Sequence, residues 1–210
     1  METDQQHIEA LQDIRHMMKQ STRFLSLSGL SGVLIGFYAL IGAYFGNQVI
    51  SNYQRNGNPG AFTFEYTTLL KECAWISALV LVFSLLTALF FSMRNAKKTG
   101  ANRFDHTARR LMLNMMIPLV AGGMFCLALV VNGPQMLGLI IPSMLIFYGL
   151  ALVNGSKYTL NDIRYLGLME IVLGIAASFF MVDGLIFWIV GFGILHILYG
   201  TYMWWKYERK

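Results

Sequence analysis

Residues 111–156 read LMLNMMIPLVAGGMFCLALVVNGPQMLGLIIPSMLIFYGLALVNGS, and no Asp, Glu, Lys or Arg interrupts them. A helix crosses a hydrocarbon core of about 30 Å with roughly 20 apolar residues. The stretch is therefore long enough for two crossings, and Asn132-Gly133-Pro134-Gln135 supplies a turn between them. Working outward, the intervals from Arg23 to Arg55 and from Glu72 to Arg94 are also free of formal charge, and each holds one crossing. The stretch from Tyr165 to Trp205 breaks at Asp183-Gly184 into two more. The predicted spans are 24–45, 74–93, 111–131, 136–153, 165–182 and 185–205.

Composition agrees. Of 210 residues, 56% are hydrophobic and 13% charged, with a mean hydropathy of +0.52. Soluble domains run at about 45–50% apolar and about 25% charged, so an ordinary soluble domain and a disordered segment are both excluded. The expected fold class is all-α: a polytopic membrane protein, a bundle of six transmembrane helices in three hairpins. Residues 1–23 precede it as a cytoplasmic amphipathic helix, and 206–210 follow as a cytoplasmic tail.

Charge sets the orientation. With the N-terminus inside, the cytoplasmic segments hold Arg15, Lys19, Arg23, Arg94, Lys97, Lys98, Arg103, Arg109, Arg110, Lys157, Arg164, Lys206, Arg209 and Lys210. Only Arg55 and Lys71 fall outside, an asymmetry that the positive-inside rule requires and that five or seven spans would spoil. Trp75 and Trp188 fall near the outer interface, and Tyr165, Tyr202, Trp204 and Trp205 near the inner one. The expected location is a bacterial inner membrane with both termini cytoplasmic. The net charge of +5 is thus an orientation signal, and no nucleic-acid motif accompanies it.

The N-terminus opens on the acidic Met1-Glu2-Thr3-Asp4, and its first apolar run is of full span length, unlike a cleaved signal. In residues 5–22, Ile8, Leu11, Ile14 and Met18 recur at helical spacing. That helix either lies on the inner membrane surface or docks a cytoplasmic partner or a second copy of the chain. The 46–71 segment reads as the one long outer loop. The basic 94–110 loop is expected to sit against anionic lipid headgroups. Cys73 and Cys126 are read as unpaired small hydrophobes, although a bridge between them is conceivable.

Small residues mark the helix faces where backbones approach closely. Ser28, Gly32 and Gly36 do so in span 1, Gly167 and Gly174 in span 5, and Gly193 and Gly200 in span 6. Ile146-Phe147-Tyr148-Gly149 in span 4 is echoed by Ile197-Leu198-Tyr199-Gly200 in span 6, which suggests a repeat of tight hairpins, 3–4 and 5–6. Three hairpins about a pseudo-threefold axis is one bundle this allows.

Glu170 and His196 are the ionisable pair inside the spans. Folding the last hairpin about Asp183-Gly184 sets Glu170 opposite residue 197, and both side chains lie on glycine-lined faces. A lone Glu in hydrocarbon costs a few kcal/mol as the carboxylate or takes up a proton, and a neighbouring imidazole can share that proton. Two readings stand: a proton-linked or substrate-binding site, or a hydrogen bond that locks the hairpin. Asn114, with Tyr148 and Tyr199, is a secondary candidate for lining a cavity. Pro118, Pro142 and Ser143 either free carbonyls toward it or simply kink their helices.

No further chemistry assembles. A catalytic zinc needs about three protein ligands, and no third joins Glu170 and His196. His7, His16 and His106 lie in cytoplasmic segments. Met112, Met115, Met116, Met169 and Met203 read as packing rather than as soft-metal ligands. No P-loop, nucleotide fingerprint or Ser-His-Asp set occurs, so no enzyme, metal or cofactor is expected. The function expected is a small transporter or proton-linked permeation protein using Glu170 and His196. The alternative is a non-enzymatic membrane sensor or scaffold.

Two resemblances accompany this reading. Arg23-Phe24-Leu25-Ser26-Leu27-Ser28-Gly29-Leu30-Ser31-Gly32 resembles the opening of a family of uncharacterised six-span inner-membrane proteins of Bacteroidota. Its general plan implies six spans and no particular activity. Gly167-Leu168-Met169-Glu170-Ile171-Val172-Leu173-Gly174 is similar to the helix that opens hairpins in the six-span acid-resistance membrane proteins. The longer outer loop and extra N-terminal helix here depart from that pattern.

Overall fold

The computed structural model describes residues 28–56, 62–99, 106–180 and 184–209. The amphipathic helix expected over 5–22, part of the basic 94–110 loop, most of the Asn56–Gly60 turn and Asp183 lie outside these. Among the described residues the secondary structure is helical, with no strand. The helices are α1 (Gly29–Asn56), α2 (Phe62–Thr99), α3 (His106–Val131), α4 (Ile140–Gly155), α5 (Ile163–Phe179) and α6 (Gly184–Tyr207).

Five of these, counting α4 with the 3-10 turn Pro134–Leu139 before it, are long and apolar enough to cross a membrane. At 17 residues α5 is just shorter. Their surfaces carry Phe83, Leu86, Phe90, Ile117, Val131 and Phe179 at half exposure or more, far too much exposed apolar area for a protein surrounded by water. Helices of this kind are those of an integral membrane protein.

The turn over 132–135 is present, with Gly133 at φ 106°, a backbone state that glycine tolerates. Elsewhere the helices outrun the expected spans. α1 continues to Asn56 and α2 begins at Phe62, so most of the expected outer loop is helix. α2 likewise continues through Lys97 and Lys98 to Thr99. Charge marks where a helix leaves the hydrocarbon, whereas a helix stops only where backbone bonding fails, and no breaker stands at those points.

Helix pairing also differs from three hairpins. α1 packs on α2 and α3 on α4, but α5 packs mainly on α4 and meets α6 far less extensively. α6 lies mainly against α1. The expected tight 5–6 hairpin is therefore replaced by two close crossings made of glycine. At the first, a Cβ on Gly200 would sit 2.5 Å from the Val33 nitrogen, and one on Gly36 2.7 Å from the Gly193 carbonyl. At the second, a Cβ on Gly149 or Gly167 would fall 2.6 or 2.7 Å from the other's carbonyl oxygen, and Gly174 lies as close to Ile146. Backbone contact this close rewards whichever partner also has no side chain there. α1, α4, α5 and α6 form the interior, while the apolar window of α2 buries nothing and α3 little, leaving both on the flanks.

One end of the bundle is tied together by polar groups. The Glu208 carboxylate, just past α6, accepts hydrogen bonds from the Gly29 amide and the Ser28 hydroxyl at the start of α1. It caps an otherwise unsatisfied helix N-terminus. Ser28 therefore serves the cap as well as the packing face. Beside it, Lys206 and Tyr207 each bond Asp162 Oδ2 at 2.8 Å.

Candidate functional site

The site forms where α4, α5 and α6 converge. Along α5, Gly167 and Gly174 face α4, which turns Glu170 toward α6 with no measurable exposure. In α6 the stretch Ile189–Leu195 is wound as a π-helix. Such segments shift the carbonyl ladder out of the α register and recur at functional sites. The shift leaves the Gly191 carbonyl 3.0 Å from Nδ1 of His196.

A carbonyl only accepts, so Nδ1–H donates to Gly191 and Nε2 is left as an acceptor. The Tyr148 hydroxyl, from α4, donates to Nε2 at 2.8 Å. The Tyr148 and His196 rings stack at 5.4 Å, and Phe192 and Trp188 continue the aromatic column to Ala39 of α1, whose carbonyl accepts from the Trp188 indole at 3.0 Å. The imidazole is thus held on both nitrogens and on its face.

Glu170 is placed differently. Its Oε1 lies 3.5 Å from His196 Nδ1, whose hydrogen is already directed to Gly191. Both carboxyl oxygens are buried without a hydrogen bond. A Cβ on Gly191 would come 2.8 Å from Oε2 and 2.5 Å from Leu145, so this glycine makes the room that the carboxyl occupies. Leaving a buried polar group unsatisfied costs about 1–3 kcal/mol. The structure therefore brings Glu170 and His196 together as expected from the sequence, but in an arrangement where the histidine is fully bonded and the carboxyl is not.

The secondary candidates divide. Tyr148 joins the site directly. Tyr199, one turn beyond His196, packs on the cluster of Leu152, Leu160, Ile163, Leu166 and Met203, with its hydroxyl buried and unbonded. Asn114 does not join: its amide turns back to the Arg110 carbonyl at 2.8 Å, and its own carbonyl accepts from Asn154. Ser143 is likewise bonded within its helix, to Leu139. Sequence reasoning missed Gly191, Asp162 and Glu208. A glycine facing an intramembrane acid was legible in principle for the first, but the π winding that aims its carbonyl was not.

Among the described residues no group of three or more His, Cys, Asp or Glu side chains could hold a metal ion. Cys73 and Cys126 are both free thiols. Outside the membrane-spanning segments, partial burial works against the Asp162 carboxylate. The hydrogen bonds from Lys206 and Tyr207 and the Lys206 charge outweigh this and hold its carboxyl below the ordinary 3.8. The chain matches no protein-family model, no curated protein and no solved structure.

Proposed function

We propose that the chain is a six-span inner-membrane protein with both termini cytoplasmic, and that it moves protons, alone or coupled to a small solute, through Glu170 and His196. α5, 17 residues long and packed on α4, is read as the fifth span. The kinship with the six-span Bacteroidota proteins belongs to the same reading, as does the placing of the 94–110 segment against anionic headgroups.

The observation that carries it is the carboxyl with no hydrogen bond on either oxygen, 3.5 Å from a histidine nitrogen. A lock would be made of the bonds this carboxyl lacks. Gly191, Leu145 and Leu173 lie together beside the carboxyl, which fits an occluded state that opens by a shift of α6. A π segment in the middle of α6 is a natural place for such a shift.

The test is reconstitution in liposomes loaded with a pH-sensitive dye. An imposed pH gradient should collapse faster with the protein present, and Glu170→Gln and His196→Ala should return the rate to that of empty vesicles. A rate unchanged by either substitution would sink the proposal.

A further inference from the structure

One face of α6 carries more than the site uses. His196, Tyr199, Met203 and Tyr207 recur at helical spacing along it, from the buried pair to the end of the bundle where Tyr207 meets Asp162. At ~1.5 Å per residue the stripe is about 16 Å long. Its second member has no evident structural reason to be a tyrosine. The Tyr199 hydroxyl is buried and bonds nothing, in an apolar cluster where Phe would leave no orphaned group. Tyr148, the partner of His196, packs on the same cluster.

We infer that Tyr199 is a proton carrier, linking the Tyr148–His196–Glu170 chain to the Asp162 end of the bundle. This rests on the reading of Glu170 given above and extends it by naming a route and a side. His196 turns its Nδ1 hydrogen from the Gly191 carbonyl to Glu170 Oε1, 3.5 Å away, as Tyr148 gives its hydroxyl hydrogen to Nε2. Tyr148 recovers a hydrogen from Tyr199, and Tyr199 takes one up from solvent at the bundle end where Tyr207 meets Asp162. One proton has then entered Glu170. Each tyrosine is restored, and the imidazole has exchanged its Nδ1 hydrogen for one on Nε2. The ring must turn over before the next transfer, once Glu170 has released its proton to the opposite side.

The experiment uses the full chain in dye-loaded liposomes, with Tyr199→Phe, Tyr199→His, Glu170→Gln and the outward-facing Tyr165→Phe as a control. Tyr199→Phe should lose most of the flux while unfolding at an unchanged or higher temperature. Tyr199→His, which restores a transferable proton, should recover a large part of it, and Tyr165→Phe should match the parent. Full flux in Tyr199→Phe, with none in Glu170→Gln, overturns this inference and leaves the proposed function standing. Equal loss in the Phe and His variants also overturns it, because packing alone then explains the effect. Unchanged flux in Glu170→Gln overturns the proposed function and the inference with it.

Discussion

Replacing Glu170 by Met should make the protein more stable while abolishing the proposed proton flux. Met matches Glu in length and flexibility, so the space opposite Gly191 stays filled. What is lost is a carboxyl with two buried oxygens and no hydrogen bond. Nothing else is stranded, because both nitrogens of His196 are bonded elsewhere, to the Gly191 carbonyl and the Tyr148 hydroxyl. Relief of an unsatisfied buried polar group is worth about 1–3 kcal/mol. For a chain of this size that raises the unfolding midpoint by about 2–12 °C, at roughly 2–4 °C per kcal/mol. Thermal unfolding in detergent micelles, followed by tryptophan fluorescence, reads the shift directly. A hydrogen-bonded lock predicts the opposite sign, a loss of about 3–5 kcal/mol on breaking a buried pair. A lowered midpoint for Glu170→Met would refute the reasoning, since it would mean that the carboxyl is bonded in the folded protein.

Two further outcomes follow from the packing and from the polar end. Gly200→Ala puts a methyl within 2.5–2.9 Å of α1 backbone, whereas Gly123→Ala meets nothing within 4 Å. Both gain the same helix propensity, so their difference in unfolding midpoint isolates an overpacking cost of about 1–3 kcal/mol, and equal midpoints would remove the α1–α6 crossing. The folded Asp162 carboxyl titrates below its ordinary 3.8, so its contribution to stability is complete above that value and drains away as pH falls through the lower folded one. Asp162→Asn should flatten the acid end of the stability profile, and an unaltered slope below pH 3.8 would contradict the Lys206–Asp162–Tyr207 arrangement.

The helices were legible because charge is excluded from hydrocarbon, and a run such as 111–156 can do little else. Their partners were not. Gly32, Gly36, Gly167, Gly174, Gly193 and Gly200 all announce close crossings, but a glycine face fits any other glycine face. Which two meet depends on the relative heights and tilts of six helices, and one sequence does not contain those. Hence the expected 5–6 hairpin, where the structure pairs α1 with α6 and α4 with α5. The meeting of Glu170 and His196 was legible because few ionisable residues lie that deep. Tyr148 emerged only as an echo of Tyr199-Gly200, and its bond to His196 needed the α4–α5 crossing to bring it within reach. The π winding of Ile189–Leu195 leaves no mark in residue type beyond two glycines that helices of this kind carry anyway.

The cap on α1 has a bearing on how the protein is made. Gly29 opens the first described helix, and the carboxylate that satisfies its amide belongs to a residue 179 positions later. Gly29, Gly32 and Gly36 of α1 also wait for α6, the last of the described helices. During synthesis α1 emerges with one face unmatched and its leading amides unanswered, and stays so while the four helices between it and α6 are made. The seam between α1 and α6 therefore closes only after α6 has been delivered, and its closure is a built-in record that assembly has run to the end of α6. A chain arrested earlier leaves that glycine face of α1 without its partner helix.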